Sequence, residues 1–394
     1  MSGQDPAAAL GLTIFCAPAR YVQGRDATWA LGSELKKLGL DGPLLIIACQ
    51  SARRHLDDVW AKTLGDLEIP FAVYDFGGEC SDAEIERGRH EALRVGATTL
   101  VGAGGGKVLD TARAVALALE LPVACCPTTA ASDAPCSALS VIYSPDGVFE
   151  RCLFYRRNPD LVLVDTRVIA KAPVRTLIAG MGDALATYFE AAAADRACRR
   201  NQVGGLSTLA AQQLARLCYE TLLKDGVQAV AAAREGLVTP ALERIVEANT
   251  LLSGLGFESG GLAVAHSVHN GLTQAPETHD RMHGEKVAFG TLVQLVLEGR
   301  DAALIEEVLG FSWAVGLPVT LKALGLETLS PAQAEDIARR ALAPGETAHN
   351  EPFVVTVDAL RDALFAADAL GRAFIAKVAR ESSIMPDPTA EAPR

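Results

Sequence analysis

The sequence lacks an excess of positive charge, a long apolar run and paired cysteines. Its formal net charge is −12, which argues against nucleic acid and anionic membranes as partners. No apolar run reaches the roughly 18 residues that a membrane-spanning helix needs, and we expect no signal peptide, because no basic flank precedes an apolar core at the N-terminus. The nine cysteines include no CxxC pair, which indicates reduced thiols in the cytoplasm rather than a disulfide framework.

A chain of 394 residues is too long for one ordinary hydrophobic core, so two domains are expected. Short β-like runs alternate with helical patterns as far as Lys171-Ala172-Pro173, and only helical patterns follow. We therefore predict an α/β domain over residues 1–172 and an α-helical domain over residues 173–394. The tail after Met385 has the composition of a disordered segment.

The first half predicts a parallel sheet with helices on both faces, since strand-length apolar runs alternate with helical patterns. Ligands bind such sheets beyond the carboxyl ends of the strands. Before the last run, SALSVIY and VFERCLFY flank the turn Ser144-Pro145-Asp146-Gly147 and predict a β-hairpin. The predicted strands are LLIIA (44–48), PFAVYDF (70–76), TTLVGA (98–103), PVACCP (122–127) and LVLVDT (161–166).

The third of these strands runs directly into Gly104-Gly105-Gly106-Lys107 and then into a helix. Glycines let the backbone approach an anion, and the free N–H groups of a helix N-terminus hold a phosphate. The turn is not a Walker A loop, because Val101 and Val108 stand where that motif needs Gly and Ser or Thr. A turn that only connects two elements is the alternative to a phosphate cradle.

Four of the seven histidines lie between Leu251 and Gly290, namely His266, His269, His279 and His283. His266 and His269 are three apart and would share one face of a helix, whereas His283 follows a break in the helical pattern. Such an arrangement can gather ligands around one ion. A surface turn that happens to be rich in histidine is the alternative.

Two acidic residues complete the candidate site. Asp183 lies in an apolar helix, where a lone charge is costly unless it is paired or bound to a metal. With His266 and His283 it would form a set of one carboxylate and two imidazoles, which suits Zn²⁺ with a position left open for substrate. Asp133 lies in a loop of small residues and could accept a substrate hydroxyl. The alternative for Asp183 is a helix cap, and for Asp133 it is a helix cap or an Asx turn.

These motifs resemble those of the glycerol dehydrogenases, within the metal-dependent, iron-containing-type alcohol dehydrogenase superfamily. The resemblance runs from Pro18 to about Gly371. It implies a dehydroquinate synthase-like fold, in which an α/β dinucleotide-binding domain precedes an all-α domain that holds metal and substrate. The most specific blocks are GGGKVLDTAR (104–113), SDAPCSALSVIY (132–143), RNPDLVLVDT (157–166), AGMGDALATYFEA (179–191), PALERIVEANTLLSGLGFESGGLAVAHSVHNGLT (240–273) and HGEKVAFG (283–290).

The resemblance also implies roles for single residues. Asp183, His266 and His283 fall on zinc ligands, and Thr187 replaces a histidine of the superfamily's iron enzymes. Asp133 falls near the substrate and His269 near the nicotinamide, so both are candidate catalytic residues. Together with the glycine-rich turn, the predicted cofactor contacts are Gly104, Gly105, Gly106, Lys107, Val108, Leu109, Asp110, Thr128, Thr129, Ala130, Ala131, Ser137, Leu139 and Tyr143.

One position departs from the family. Relatives commonly carry an acidic residue directly after the first strand, where it binds the adenosine ribose, but Cys49-Gln50 follows LLIIA here. A thiol cannot hold a ribose diol as a carboxylate does. NAD is the expected cofactor, and this departure leaves NADP open.

The function that we expect is zinc-dependent oxidation of glycerol and related vicinal diols to dihydroxyacetone, with hydride transfer to NAD. The resemblance implies a small neutral polyol as substrate and homo-oligomers, octamers among them. A dehydroquinate synthase-like lyase and a dehydrogenase for a phosphorylated glycerol are the alternatives on this fold, but both need several cations near the metal, and only Arg281 and Lys286 lie near the ligands in sequence. A non-catalytic dinucleotide sensor would not require an open metal site.

Overall fold

The computed structural model describes residues 11–384, so the tail after Met385 lies outside the described residues. Six parallel strands form one sheet. The five predicted strands are confirmed, and a short edge strand, Tyr21–Gly24, joins them. The strands are β1 Tyr21–Gly24, β2 Leu44–Ala48, β3 Phe71–Asp75, β4 Thr99–Gly104, β5 Val123–Pro127 and β8 Leu161–Asp165. Their order in the sheet is β1-β8-β5-β4-β2-β3.

The predicted hairpin is also confirmed. Strands β6 (Leu139–Tyr143) and β7 (Phe149–Phe154) pair antiparallel. In the turn between them Gly147 has φ 81°, a left-handed conformation that glycine adopts without strain. The amide of Gly147 donates to the carbonyl of Ser144 at 2.9 Å, which closes the turn.

Helices accompany the strands of the sheet, as the alternating pattern predicts. One of these helices begins with a side-chain cap, since the Ser81 hydroxyl accepts from the Glu84 amide. The connection leaving β2 runs to the edge strand β3, whereas the connection leaving β4 runs the other way, to β5. The carboxyl ends of β2 and β4 therefore flank a switch point, where such sheets bind ligands. The helices are α1 Leu31–Lys37, α2 Gln50–Gly65, α3 Asp82–Val95, α4 Gly106–Leu119 and α5 Thr166–Ala170.

After the sheet the chain is helical. Thr239 caps the helix Pro240–Glu247, and that helix continues through a π-helical turn, Ala248–Leu252. The chain forms two compact units, one ending at Leu262 and the other beginning at Ala263. The domain boundary after residue 172 stays a prediction. The helices of the first unit are α6 Val174–Arg196, α7 Leu209–Arg234, α8 Pro240–Glu247 and α9 Ser253–Gly260.

In the second unit, the helices Val264–Leu272 and His283–Leu297 pack on each other and on the last two helices. Within residues 11–384 none of the helices is long and apolar enough to cross a membrane. The helices of this unit are α10 Val264–Leu272, α11 His283–Leu297, α12 Ala302–Val315, α13 Pro331–Ala341 and α14 Val357–Ile384.

Candidate active site

The glycine-rich turn lies where the sequence predicts it, between β4 and α4. Gly105 is the residue before the helix and provides no side-chain cap, so the first amides of α4 remain available to a ligand. A side chain on Gly106 would meet no atom within 4 Å, which leaves open space in front of the turn. The Thr128 amide donates to the Gly104 carbonyl at 3.0 Å. The two predicted cofactor loops, 104–107 and 128–131, therefore lie side by side.

Several predicted cofactor contacts have partners within the protein. Lys107 pairs with Glu79, and its ammonium lies 5.2 Å from the centroid of the Tyr143 ring. Asp110 pairs with Arg113 and also accepts from the Val141 amide at 3.2 Å. A cofactor would therefore meet the backbone of this helix turn rather than the Asp110 carboxylate.

The remaining predicted cofactor residues differ in exposure. The side chains of Val108 and Leu109 are buried in the core, so only their backbone can serve a ligand. Ser137 is fully buried and donates to the Ala134 carbonyl at 3.0 Å. Leu139 and Tyr143 are half-buried on β6, and burial raises the pKa of the Tyr143 phenol.

A cavity of about 310 Å³ opens at the carboxyl edge of the sheet. Thr128 and Thr129 contribute one wall, and the first turns of α2 contribute another through Ser51, Ala52 and His55. The volume suits one end of a small organic ligand. The cavity lies beside the glycine-rich turn, because Thr128 is bonded to Gly104.

Asp133 does not cap a helix. It precedes a short 3₁₀ turn, Ala134–Cys136, but its side chain makes no capping bond. One carboxylate oxygen instead accepts from the Ser253 hydroxyl at 3.0 Å. The Ser253 oxygen is 2.8 Å from the Thr187 hydroxyl, so Thr187 donates to Ser253 and Ser253 to Asp133. Thr187 thus orients Asp133 through Ser253.

The loop that begins at Asp133 is held from two sides. Arg113 of α4 donates to the carbonyls of Ala134 (2.6 Å) and Ser137 (3.3 Å). From α9, the Glu258 carboxylate accepts from the Ala138 amide at 2.6 Å, and burial raises the pKa of this carboxyl. These residues fix the loop although neither was predicted from the sequence.

Asp183 lies in the interior of α6 and is fully buried, so the helix-cap alternative is wrong. Its carboxylate accepts from the Asp133 amide at 3.2 Å, which ties the two acids together. One turn earlier, Gly180 packs so closely on the Ala130 carbonyl that a methyl group would overlap it. Asn249 of the π-helical turn donates to the same carbonyl at 3.0 Å. The loop 128–131 is thereby fixed on α6.

The histidines of α10 and α11 form a hydrogen-bonded chain. Asn270 donates its amide to Glu346 at 2.8 Å, so its oxygen, 3.0 Å from Nδ1 of His269, must accept from that nitrogen. Nε2 of His269 then accepts from Nδ1 of His283 at 3.0 Å. In neutral His283 the proton therefore lies on Nδ1, and Nε2 is the nitrogen that can act as a metal ligand. Burial, together with the positive charge of the neighbouring Lys286, holds the pKa of His269 well below its usual value, which keeps this imidazole neutral.

Asp183, His266 and His283 form a group that could hold a metal ion. Each offers one ligand atom, and the three atoms all lie within 4.8 Å of one another. One carboxylate oxygen and two imidazole nitrogens are typical of a divalent transition metal with an open coordination position. His279, by contrast, is exposed in the loop before α11, and its ring lies 3.1 Å from the Thr273 carbonyl.

Comparisons with known proteins agree with this geometry. Residues 18–166 match the family described as iron-containing alcohol dehydrogenase. The chain is 50% identical to glycerol dehydrogenase from Pseudomonas putida, over 91% of this chain and 98% of the relative. It is 47% identical to glycolaldehyde reductase from Halobacterium salinarum, over 91% of this chain and 98% of the relative.

Among solved structures, glycerol dehydrogenase from Schizosaccharomyces pombe is similar over 97% of both chains, with 37% identity and a TM-score of 0.87. This similarity covers the parallel sheet as well as the helices that follow it. The chain therefore belongs to the iron-containing alcohol dehydrogenase family, within its glycerol dehydrogenase group.

Proposed function

We propose that the chain is a zinc- and NAD-dependent dehydrogenase that oxidises glycerol and related vicinal diols, glycerol yielding dihydroxyacetone. The group Asp183, His266 and His283 carries the proposal, because its ligand atoms converge within 4.8 Å in a chain 50% identical to a glycerol dehydrogenase. A hard oxygen ligand combined with imidazole nitrogens fits Zn²⁺. A homo-oligomeric enzyme of the cytoplasm is part of the same proposal, as the family resemblance implies.

Zinc would supply a Lewis acid that lowers the pKa of a substrate hydroxyl, and NAD would accept the hydride. The protein's own residues orient the reactants. The chain Glu346–Asn270–His269 keeps His283 in the tautomer whose Nε2 can bind a metal. Asp133, oriented by Ser253, is the candidate acceptor for a second substrate hydroxyl.

The glycine-rich turn is the candidate binding site for the cofactor pyrophosphate. The amides of Gly106 and Lys107 begin α4, and a side chain on Gly106 would meet no atom within 4 Å. Gly104 is held by the Thr128 amide, and loop 128–131 is in turn held by Asn249. The dinucleotide would therefore bind to backbone groups that hydrogen bonds hold in place.

A neutral substrate is favoured over a phosphorylated one. Of the two basic residues close to His283 in sequence, Lys286 is buried, and burial lowers the pKa of its ammonium. An anionic substrate would need several exposed cations. Glycolaldehyde reduction is a second candidate, because the Halobacterium salinarum relative is almost as similar as the glycerol dehydrogenases.

The test is the absorbance of reduced nicotinamide with purified protein, glycerol and NAD, measured before chelation, after chelation and after zinc is restored. We expect turnover that chelation abolishes and zinc restores. His283→Ala should lose bound zinc and turnover, whereas His279→Ala, in the exposed loop nearby, should keep both. Parallel assays with glycolaldehyde and NADH separate the two candidates.

The zinc assignment is wrong if the rate is indifferent to chelation or if His283→Ala retains full activity. The dehydrogenase assignment is wrong if neither a small diol nor glycolaldehyde changes the absorbance.

A further inference from the structure

Helix α2 carries two different faces at the carboxyl end of β2. One face, with Ser51, Ala52 and His55, lines the cavity of about 310 Å³ that Thr128 and Thr129 share. The other face lines a second cavity of about 380 Å³, which reaches the end of β3. The residues of this second cavity are Gln50, Arg53, Arg54, Asp57 and Asp75.

Cys49 lies between the glycine-rich turn and this second cavity. The Cys49 amide donates to the Ala103 carbonyl at 3.4 Å, directly before the turn. On the other side of β2, Ala48 is paired in register with Asp75. A dinucleotide with its pyrophosphate on the turn and its adenine in the first cavity would therefore have its adenosine ribose beside the start of α2. This placement rests on the proposed function.

The charges here differ from those of a site that selects NAD. A carboxylate after the first strand would bind the ribose diol and repel a 2′-phosphate. Cys49 carries no such charge, and its thiol is hydrogen-bonded to the Ser51 hydroxyl at 3.2 Å. A phosphate next to Cys49 would therefore meet no carboxylate at this position.

Two guanidinium groups in the second cavity indicate that it can bind an anion. Arg53 is fixed by Asp75 at 2.8 Å and by Asp57 at 3.1 Å. Arg54 is exposed and makes no ion pair with any residue from 11 to 384. Arginine is well suited to binding phosphate, because its fork of N–H donors matches the phosphate oxygens.

We propose that Arg54, supported by Arg53, binds the 2′-phosphate of NADP, so that this chain accepts NADP(H) as well as NAD(H). Asp57 and Asp75 offset the charge of Arg53, which leaves the cavity compatible with the uncharged ribose of NAD(H). Arg54 is thus the residue that distinguishes the two cofactors. Either cofactor can bind beside Cys49, because its side chain does not repel the 2′-phosphate.

Calorimetric titration of the purified enzyme with NADH and with NADPH tests this assignment without relying on turnover. Arg54→Gln should weaken NADPH binding about tenfold or more, since it removes a charged hydrogen bond to phosphate. NADH affinity should not change. Arg94→Gln is the matched control, because Arg94 lies on α3 at the surface and pairs with Glu91.

Two further variants act in opposite directions. Cys49→Asp should weaken NADPH binding about tenfold and leave NADH binding intact or tighter, because it restores the carboxylate. Asp75→Asn should strengthen NADPH binding, because it releases one of the carboxylates that hold Arg53.

The inference is overturned if the wild-type enzyme binds NADH but not NADPH, or if Arg54→Gln weakens both cofactors equally. Failure of both nucleotides to bind would overturn the proposed function as well, so the two failures are distinguishable.

Discussion

His269 is a neutral imidazole that can orient a metal ligand without binding the metal. Its Nε2 accepts from His283, and its Nδ1 donates to Asn270. The sequence places His269 on the same helix face as His266, so spacing alone makes it as good a ligand candidate as its neighbour. Only the hydrogen-bond chain to Glu346 shows that His269 fixes the tautomer of His283. We therefore favour an orienting role for His269.

Removing the Asn270 amide should weaken zinc binding without removing a ligand. In Asn270→Leu, His269 loses the acceptor that keeps its proton on Nδ1, so His283 is less firmly held in the metal-binding tautomer. Zinc affinity should fall about 10- to 100-fold, the usual effect of losing such a partner. Competition with a chromophoric chelator measures it. An affinity equal to that of wild type would reject the orienting chain.

The candidate metal ligands could be proposed from the sequence, but the residues that orient the acids could not. A carboxylate or an imidazole has few structural reasons to lie in an apolar helix. Residue type alone therefore indicates a functional role for Asp183, His266 and His283. Ser253 is an ordinary helix residue, and its bond to Asp133 joins positions 120 apart. The Glu258 bond to the Ala138 amide has the same separation. Spacing carries no information about such pairs, which exist only after the chain has folded.

At the scale of elements, the buried strands were the most predictable part. β2, β4 and β8 are buried along their whole length, so each is a continuous apolar run. β1 was not among the predicted strands because it has four residues, all half-buried, and lies at the sheet edge. The π-helical turn Ala248–Leu252 was not predicted either. Its residues suit an ordinary helix, and the turn places Asn249 on Ala130.

The contact between α6 and loop 128–131 should depend on the absence of a side chain at Gly180. In Gly180→Ala the new methyl group would overlap the Ala130 carbonyl oxygen, so helix and loop must separate. We expect unfolding stability to fall by about 1–3 kcal/mol and NADH to bind several-fold more weakly, because the loop carries predicted cofactor contacts. Urea unfolding and NADH titration measure both effects.

Gly310→Ala is the control for this substitution. Gly310 also lies within a helix, α12, but a methyl group there would meet no atom within 4 Å. That variant should be as stable as wild type or about 0.5–1 kcal/mol more stable. If the two variants behave alike, the close approach at Gly180 does not hold the loop.

At the scale of the whole molecule, the candidate metal ligands come from distant parts of the sequence. Asp183 belongs to α6, His266 to α10 and His283 to the first turn of α11. An unfolded chain does not hold three such residues together, so a metal bound by this group binds the folded state alone. Binding energy then adds directly to folding stability.

Zinc should therefore raise the melting temperature of the metal-free protein. At a free zinc concentration one hundred times the dissociation constant, linkage adds about 2.7 kcal/mol to the free energy of unfolding. Asp183→Asn should reduce the shift while keeping an oxygen for the Asp133 amide, which donates to Asp183 at 3.2 Å. His283→Ala should abolish the shift, whereas His279→Ala should retain it. Thermal denaturation with and without zinc provides the measurement, and an equal rise in the His283→Ala variant would show that the stabilising zinc binds elsewhere.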